Sequence, residues 1–82
     1  MSFELFISEE ARVQLRNLPD DVRRNLGYRL QSLQENFSGD VKKLKGQTNL
    51  YRLRVGNHRL LFRLDGAKIE VYAVKQRKDA YE

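Results

Sequence analysis

The sequence has 82 residues, of which 40% are hydrophobic and 33% are charged, a composition typical of one small folded domain. Its 16 Lys and Arg residues against 11 Asp and Glu residues give a net charge of +5, which favours a polyanionic partner such as RNA, DNA, an acidic protein or a membrane surface. The lack of cysteine excludes disulfides and thiolate metal sites, and the single histidine stands without zinc-ligand spacing.

The N-terminus predicts a strand. Residues 2–7 (SFELFI) alternate in side-chain character as a strand does. Glu4, Glu9 and Glu10 are unlike a signal peptide, and no stretch approaches the roughly 20 apolar residues that span a membrane. We therefore expect a cytoplasmic protein that makes no contact with a membrane.

A helical hairpin is predicted next. Ser8 is a suitable N-cap for a helix over residues 9–17, whose first turn is acidic. Pro19 is able to begin a second helix, which should end near residues 38–39. The apolar stripe of this second helix needs a sheet to cover, and it consists of Val22, Leu26, Leu30, Leu33 and Phe37.

The connector after the helices is basic. It contains Lys42, Lys43 and Lys45, and Gly46 and Asn49 close it. Two interpretations remain open at this point: a solvated loop, or a segment whose lysines contact phosphate.

The last part of the chain predicts a three-stranded antiparallel meander with two-residue turns at residues 56–57 and 65–66. The first turn pairs Val55 with His58, Arg54 with Arg59, and Leu53 with Leu60. The second turn pairs Leu64 with Ala67, Phe62 with Ile69, Leu60 with Val71, and Arg59 with Tyr72.

This register sorts the side chains of the meander onto two faces, because successive residues of a strand point to opposite sides. The almost wholly apolar face, which must cover the helices, carries Tyr51, Leu53, Val55, His58, Leu60, Phe62, Leu64, Ile69, Val71 and Ala73. The opposite face carries Arg52, Arg54, Arg59, Leu61, Arg63, Lys68, Glu70, Tyr72 and Val74.

Three arginines fall together on that opposite face. Arg54 lies directly across from Arg59, with Cβ atoms ~5 Å apart, and Arg52 is two residues along. Like charges so close cost roughly 1 kcal/mol even in water, and Glu70 is the only acid predicted on the face. Because guanidinium groups grip phosphate through two parallel hydrogen bonds, the cluster predicts a phosphate site; the alternative is a merely solvated face.

Two further features bear on chemistry. His58 is a general base by residue type, but the register puts it on the apolar face, where a packed structural histidine is more common. The basic run Lys75–Lys78 precedes Tyr81, so these residues could contact RNA backbone and base together, or the tyrosine could staple the tail to the core. No carboxylate pair, catalytic triad, phosphate loop or metal motif is visible in the sequence.

An ordered set of motifs resembles the RelE family of toxin–antitoxin modules. The set consists of the helix link Leu18–Arg23, the K-L-x-G connector Lys43–Gly46, the strand Tyr51–Gly56, the pair His58-Arg59 and the R-x-x-x-Y ending Arg77–Tyr81. The resemblance implies a single α+β domain over residues 1–82. The N-terminal strand and the three-stranded antiparallel meander would form one sheet, and the helical hairpin would cover it.

The resemblance also implies an activity. Such a toxin is an endoribonuclease, an mRNA interferase without metal or cofactor, that cuts mRNA in the A site of the small ribosomal subunit through attack of the 2′-hydroxyl on its own 3′ phosphate. Arg52 and Arg54 match two positions that are lysines in the best-known members, one of them proposed as the base. Because arginine is a poor proton acceptor, His58 or a neighbouring lysine becomes the candidate base.

By similarity, Arg59 binds the phosphate, Arg77 is a catalytic basic residue near the tail, and Tyr81 stacks on the substrate base. Residues expected to bind RNA are Lys43, Lys45, Lys75 and Lys78. The family implies a cognate antitoxin that neutralises the basic face, with operator DNA bound only through that antitoxin. The alternatives are a ParE-like toxin that binds gyrase and cuts no RNA, which the R-x-x-x-Y ending argues against, and a degenerate, non-catalytic binding module.

Overall fold

A computed structural model describes residues 2–46 and 48–76. Within them the chain forms five strands and two helices, in the order β1 (Glu4–Ile7), α1 (Glu9–Arg16), α2 (Asp20–Asn36), β2 (Asp40–Lys43), β3 (Leu50–Val55), β4 (His58–Asp65) and β5 (Lys68–Gln76). The strands make one sheet in the order β1-β5-β4-β3-β2, in which β1 is parallel to β5 and all other neighbours are antiparallel. The predicted α+β class, the N-terminal strand, the hairpin and the meander are confirmed.

Helix α1 begins where the sequence predicts, and α2 begins at Asp20, one residue after the predicted start, with Pro19 as its N-cap residue. The Ser8 hydroxyl accepts a hydrogen bond from the Ala11 N–H at 3.1 Å, which caps α1. In α2, Leu26, Leu30 and Leu33 are buried against the sheet. The helix ends at Asn36, slightly before the predicted end, because Phe37 adopts a left-handed conformation with φ of 53°.

Phe37 belongs to an aromatic cluster that joins the helices to the sheet. Its ring centroid lies 5.4 Å from that of Phe3 and 6.1 Å from that of Phe62, and Tyr51 stacks on Phe62 at 5.5 Å. The left-handed turn at Phe37 therefore ends the helix and also directs an aromatic ring into the core.

The prediction of a loop in the basic connector was wrong for residues 40–43, which form the edge strand β2. Gly39 allows the chain to enter this strand, since a Cβ atom there would lie 2.7 Å from the Leu53 side chain and φ is +134°. Val41 pairs with Leu53 on the core side and packs against the core. Short edge strands that carry lysine are common, because they discourage pairing with other chains.

The first turn of the meander has the predicted register, and the second does not. Glycine occupies the first turn position in both hairpins, at Gly56 and Gly66, each with φ near +60°, as a type II′ turn requires. The second turn is therefore Gly66-Ala67, and Leu64 pairs with Ile69. This shift of two residues leaves the same side chains on each face as far as Val71.

A β-bulge then changes the faces of β5. Phe62 pairs with Val71, but Leu61 pairs with Ala73, so that Tyr72 is one extra residue. The predicted pairs of Leu60 with Val71 and of Arg59 with Tyr72 are wrong because the second turn shifts the register by two residues and the bulge shifts it by one more, so that Leu60 pairs with Val74 and Arg59 with Lys75. Beyond the bulge, Val74 enters the core and is 8% exposed, although the sequence assigned it to the other face. The core cluster consists of Ala11, Leu26, Leu30, Leu33, Leu53, Val55, Leu60, Phe62, Ile69, Val71 and Val74.

Candidate nucleic-acid interface

The sheet brings a row of charged residues together on the side away from the helices. Arg54 and Arg59 are directly opposite each other, as predicted. The same row continues to Asp40 of β2, opposite Arg54, and to Lys75 of β5, opposite Arg59. We use the name basic face for one set of five residues: Lys42, Arg52, Arg54, Arg59 and Lys75.

Arg52 is tied to the edge strand. Its Nη1 donates to the Asp40 carbonyl oxygen at 3.0 Å and forms an ion pair with the Asp40 carboxylate at 3.3 Å. The arginine is 6% exposed, whereas the Asp40 side chain is 59% exposed. Asp40 is an acid at the edge of the basic face that the sequence does not predict, because the connector is expected to be a loop. Arg52 therefore helps to hold β2 to β3 as well as adding charge.

Arg54 and Arg59 differ in their exposure. Arg54 is exposed to solvent, while Arg59 is 4% exposed and its Nη1 lies 3.4 Å from the His58 carbonyl oxygen, a long hydrogen bond. A charge that is largely removed from water interacts more strongly with an anion than a solvated charge does. The arrangement suits a phosphate that contacts Arg59 at depth and Arg54 at the surface.

His58 lies on the other side of the sheet. It pairs with Val55, a core residue, and it lines a groove with Gln14, Asn17 and Leu18 at the end of the helical hairpin. Its Nε2 atom is buried, with no hydrogen-bond partner among the described residues. This placement argues against the general-base role, because the imidazole and the guanidinium groups of Arg54 and Arg59 are separated by the sheet.

The lysines of the connector are distributed differently from the prediction. Lys43 pairs with Tyr51, whose ring packs in the core, so the Lys43 side chain lies on the helix side. Lys42 pairs with Arg52 and lies on the basic face. The sequence signal for this position is the neighbouring Val41, which is half-buried on the core side, so that alternation along the strand turns Lys42 to the opposite side. Lys45 is exposed in the turn after β2. The proposed site residues Arg77, Lys78 and Tyr81 lie outside the described residues.

The remainder of the same side of the sheet is largely neutralised. Arg63 pairs with Glu70 at 2.8 Å, and its guanidinium lies 5.8 Å from the centre of the Tyr72 ring. Burial raises the pKa of Tyr72, and the Arg63 charge partly opposes that rise. The positive charge is therefore concentrated at the β2–β3–β4 end of the sheet and at Lys75.

Within the described residues there is neither a metal-binding cluster nor a helix that could cross a membrane. Residues 2–46 and 48–76 contain no group of three His, Cys, Asp or Glu side chains that could hold a metal ion. In the same part of the chain, neither helix is long and apolar enough to cross a membrane.

A helical hairpin on one side of a small sheet and clustered arginines on the other define a class of small α+β toxins, and comparison with solved structures agrees. The RelE–RelB complex of Pyrococcus horikoshii OT3 matches with a TM-score of 0.82 and 25% identity, over 98% of this chain and 100% of that chain. The RelB–RelE complex of Methanococcus jannaschii matches with a TM-score of 0.77 and 25% identity, over 94% and 99%.

Sequence comparison identifies the family. Residues 5–81 match the family model described as the ParE toxin of the type II toxin–antitoxin system parDE. Toxin RelE3 of Methanocaldococcus jannaschii is 33% identical over an alignment of 73 residues that covers 83% of this chain and 83% of that protein. The chain belongs to the RelE family of type II toxins, within the RelE/ParE superfamily, as its motifs indicated.

Proposed function

We propose that this toxin is a metal-independent endoribonuclease that cuts mRNA in the ribosomal A site. The observation that carries the proposal is the direct opposition of Arg54, Arg59 and Lys75 on three adjacent strands. Three cations in one row, with Asp40 at its end, suit a single phosphodiester group.

The chemistry follows from what these groups are able to do. The 2′-hydroxyl gives up its proton as its oxygen forms a bond to phosphorus, the bond from phosphorus to the 5′-oxygen breaks, and that oxygen takes up a proton, so that the products are a 2′,3′-cyclic phosphate and a 5′-hydroxyl. Negative charge grows on the phosphate oxygens, where Arg54 and Arg59 stabilise it. Arginine does not exchange protons at neutral pH, whereas lysine is able to, so Lys75 is our candidate for proton transfer on this side of the sheet.

A cognate antitoxin is the second part of the proposal. The solved relatives are complexes of RelE with RelB, and this chain has the same fold. A net charge of +5 and the basic face suit an acidic segment of such a partner. We propose that the antitoxin covers the basic face, and that operator DNA is bound through the antitoxin.

A ParE-like activity is the competing candidate, because the matched family model carries the ParE description. The two activities differ in their target: a RelE-like toxin cuts ribosome-bound message, and a ParE-like toxin binds gyrase without cutting RNA. The 33% identity to a protein named RelE3 supports the first.

The deciding experiment is incubation of the purified toxin with programmed ribosomes, followed by primer extension on the message. We expect cuts within the A-site codon and no cuts when the antitoxin is added first. An intact message, together with gyrase-dependent DNA breaks in cells, would establish the ParE-like activity.

Asp40 gives a test of the basic face. Replacing it with asparagine keeps the oxygen that Arg52 contacts but removes one negative charge from the row. We expect RNA affinity to rise by up to about fivefold at moderate salt, since a charge pair at ~4 Å in water is worth about 1 kcal/mol. Fluorescence anisotropy with a single-stranded RNA oligonucleotide measures this change.

The matched control is Asp65→Asn, which changes the net charge equally at the far end of β4. It should leave RNA affinity nearly unchanged at moderate salt, because exposed charges beyond a Debye length are screened. Equal effects of the two variants would show that net charge, and not the basic face, governs binding.

A further inference from the structure

The bulge in β5 decides which residues of that strand reach the basic face. Up to the pair of Phe62 with Val71 the ladder is regular, and from Leu61 onward it is displaced by one residue. A regular continuation of the ladder would pair Arg59 with Val74. The observed register pairs Arg59 with Lys75 instead.

A displacement of one residue exchanges the two faces of a strand. Without the bulge, Lys75 would pair with His58 and lie on the helix side, and Val74 would take its place beside Arg59. With the bulge, Val74 packs in the core and Lys75 joins the arginine row. One extra residue thus adds a cation to the site and fills the core with an apolar side chain.

Helix α1 contacts the bulge directly. The parallel strand β1 ends at Ile7, opposite Val71, and the Ser8 N–H donates to the Val71 carbonyl oxygen at 2.9 Å. The Ser8 hydroxyl lies 3.4 Å from the Tyr72 carbonyl oxygen. Carbonyl groups of successive residues point to opposite edges in a regular strand, so two successive carbonyls turned toward Ser8 are a feature of the bulged conformation.

Gln14 makes the shortest of these contacts. Its side-chain oxygen Oε1 accepts a hydrogen bond from the Val74 N–H at 2.6 Å, between groups 60 residues apart in the sequence. This N–H points away from β4, at an edge that β1 no longer covers, and a buried donor left without an acceptor is costly. Gln14 therefore matches the bulged strand, in which the N–H of residue 74 faces the acceptor. In a regular strand the N–H of residue 73 would face this side instead.

We propose that Gln14 is a positioning residue for the RNA site. By accepting the Val74 N–H it holds the bulge at Tyr72, and the bulge holds Lys75 beside Arg59 on the basic face. Gln14 itself lies on the helix side of the sheet, in a groove that it lines with His58 and that reaches Lys75 at the end of β5. The role of Lys75 in RNA binding rests on the proposed function, but the register that Gln14 maintains does not.

The test compares Gln14→Met, which removes the acceptor at similar length, with Gln14→Glu, which keeps an acceptor oxygen. Gln31→Met is the control, because Gln31 is exposed on α2 and bonds only Glu35 among the described residues. Cross-strand nuclear Overhauser contacts report the register. We expect the backbone contact between Arg59 and Lys75 to be lost in Gln14→Met and kept in Gln14→Glu and in the control.

RNA binding gives the second readout. The probe is a single-stranded RNA oligonucleotide with 2′-methoxy groups, which is bound but not cut. We expect Gln14→Met to lower the affinity as much as Lys75→Met does, and to reduce the slope of log affinity against log salt by about 0.7, the value for one lost phosphate contact on a single strand. In the double variant the two losses should not add, because both remove the same cation from the site.

Three results would overturn the role of Gln14: an unchanged contact between Arg59 and Lys75 in Gln14→Met, additive losses in the double variant, or, should Gln14→Met not fold, rapid hydrogen exchange of the Val74 N–H in the unmodified protein. A failure of the unmodified protein to bind RNA would count against the proposed function instead, and the register measurement would still decide the role of Gln14.

Discussion

Arg59→Ala is expected to slow message cleavage by about 10²–10³-fold, the usual cost of removing one group that stabilises transition-state charge. The guanidinium occupies the centre of the charged row, between Arg54 and Lys75, and is largely removed from water. In cells the variant should no longer inhibit growth. Cleavage rates on programmed ribosomes, followed by primer extension, measure the effect.

Arg63→Ala is the matched control for that variant. Arg63 lies on the same strand and the same side of the sheet, but Glu70 already compensates its charge. Its removal should change the cleavage rate by less than a few-fold. Because Arg59 is buried, circular dichroism and antitoxin binding must show that Arg59→Ala is folded; full growth inhibition by a folded Arg59→Ala protein would remove Arg59 from the site.

Phe62→Ala should have the largest effect on stability, a loss of roughly 3–5 kcal/mol in the free energy of unfolding. Phe62 is 0% exposed, and its ring packs against those of Tyr51 and Phe37, so alanine would leave a cavity where the sheet meets the end of α2. A loss of this size is a large share of the 5–15 kcal/mol typical of a folded domain. Urea unfolding at equilibrium measures it.

Phe6→Ala serves as the comparison, because Phe6 is 46% exposed at the β1 edge. Its ring contacts the Lys68 ammonium at 5.2 Å, and the expected loss is below about 1 kcal/mol, as for an exposed cation–π contact. Equal losses in the two phenylalanine variants would mean that the aromatic cluster does not anchor the helices to the sheet.

The parts of the fold that depend on local sequence were predictable. The Ser8 cap, the apolar stripe of α2 and the glycine turn at Gly56 each follow from residues near one another in the chain. That turn also fixes the opposition of Arg54 and Arg59, so the centre of the basic face is predictable from the sequence.

The bulge in β5 could not be predicted in the same way. Ala73 and Val74 are both small and apolar, so either suits the core by residue type. The choice between them depends on a contact with Gln14, which is distant in the sequence. The position of Lys75 opposite Arg59 was missed because this bulge adds one residue to the two-residue shift at the second turn.

Strand β2 was missed for a different reason. It is four residues long, and Val41 is the one apolar residue in it, so alternation is too brief to stand out from a charged loop. Because of this error Lys43, and not Lys42, was predicted as a lysine of the site. The ion pair between Asp40 and Arg52 was also missed.

The two outer strands have a consequence for the purified toxin. Both β1 and β2 contain four residues, and within the described chain they form the two edges of the sheet. A short edge strand offers few unpaired backbone N–H and C=O groups to a second copy of the protein. The lysines of β2 would also repel one another if two copies paired edge to edge. Toxin molecules should therefore resist aggregation through their sheets, which makes denaturation followed by refolding a practical way to prepare the protein for the measurements above.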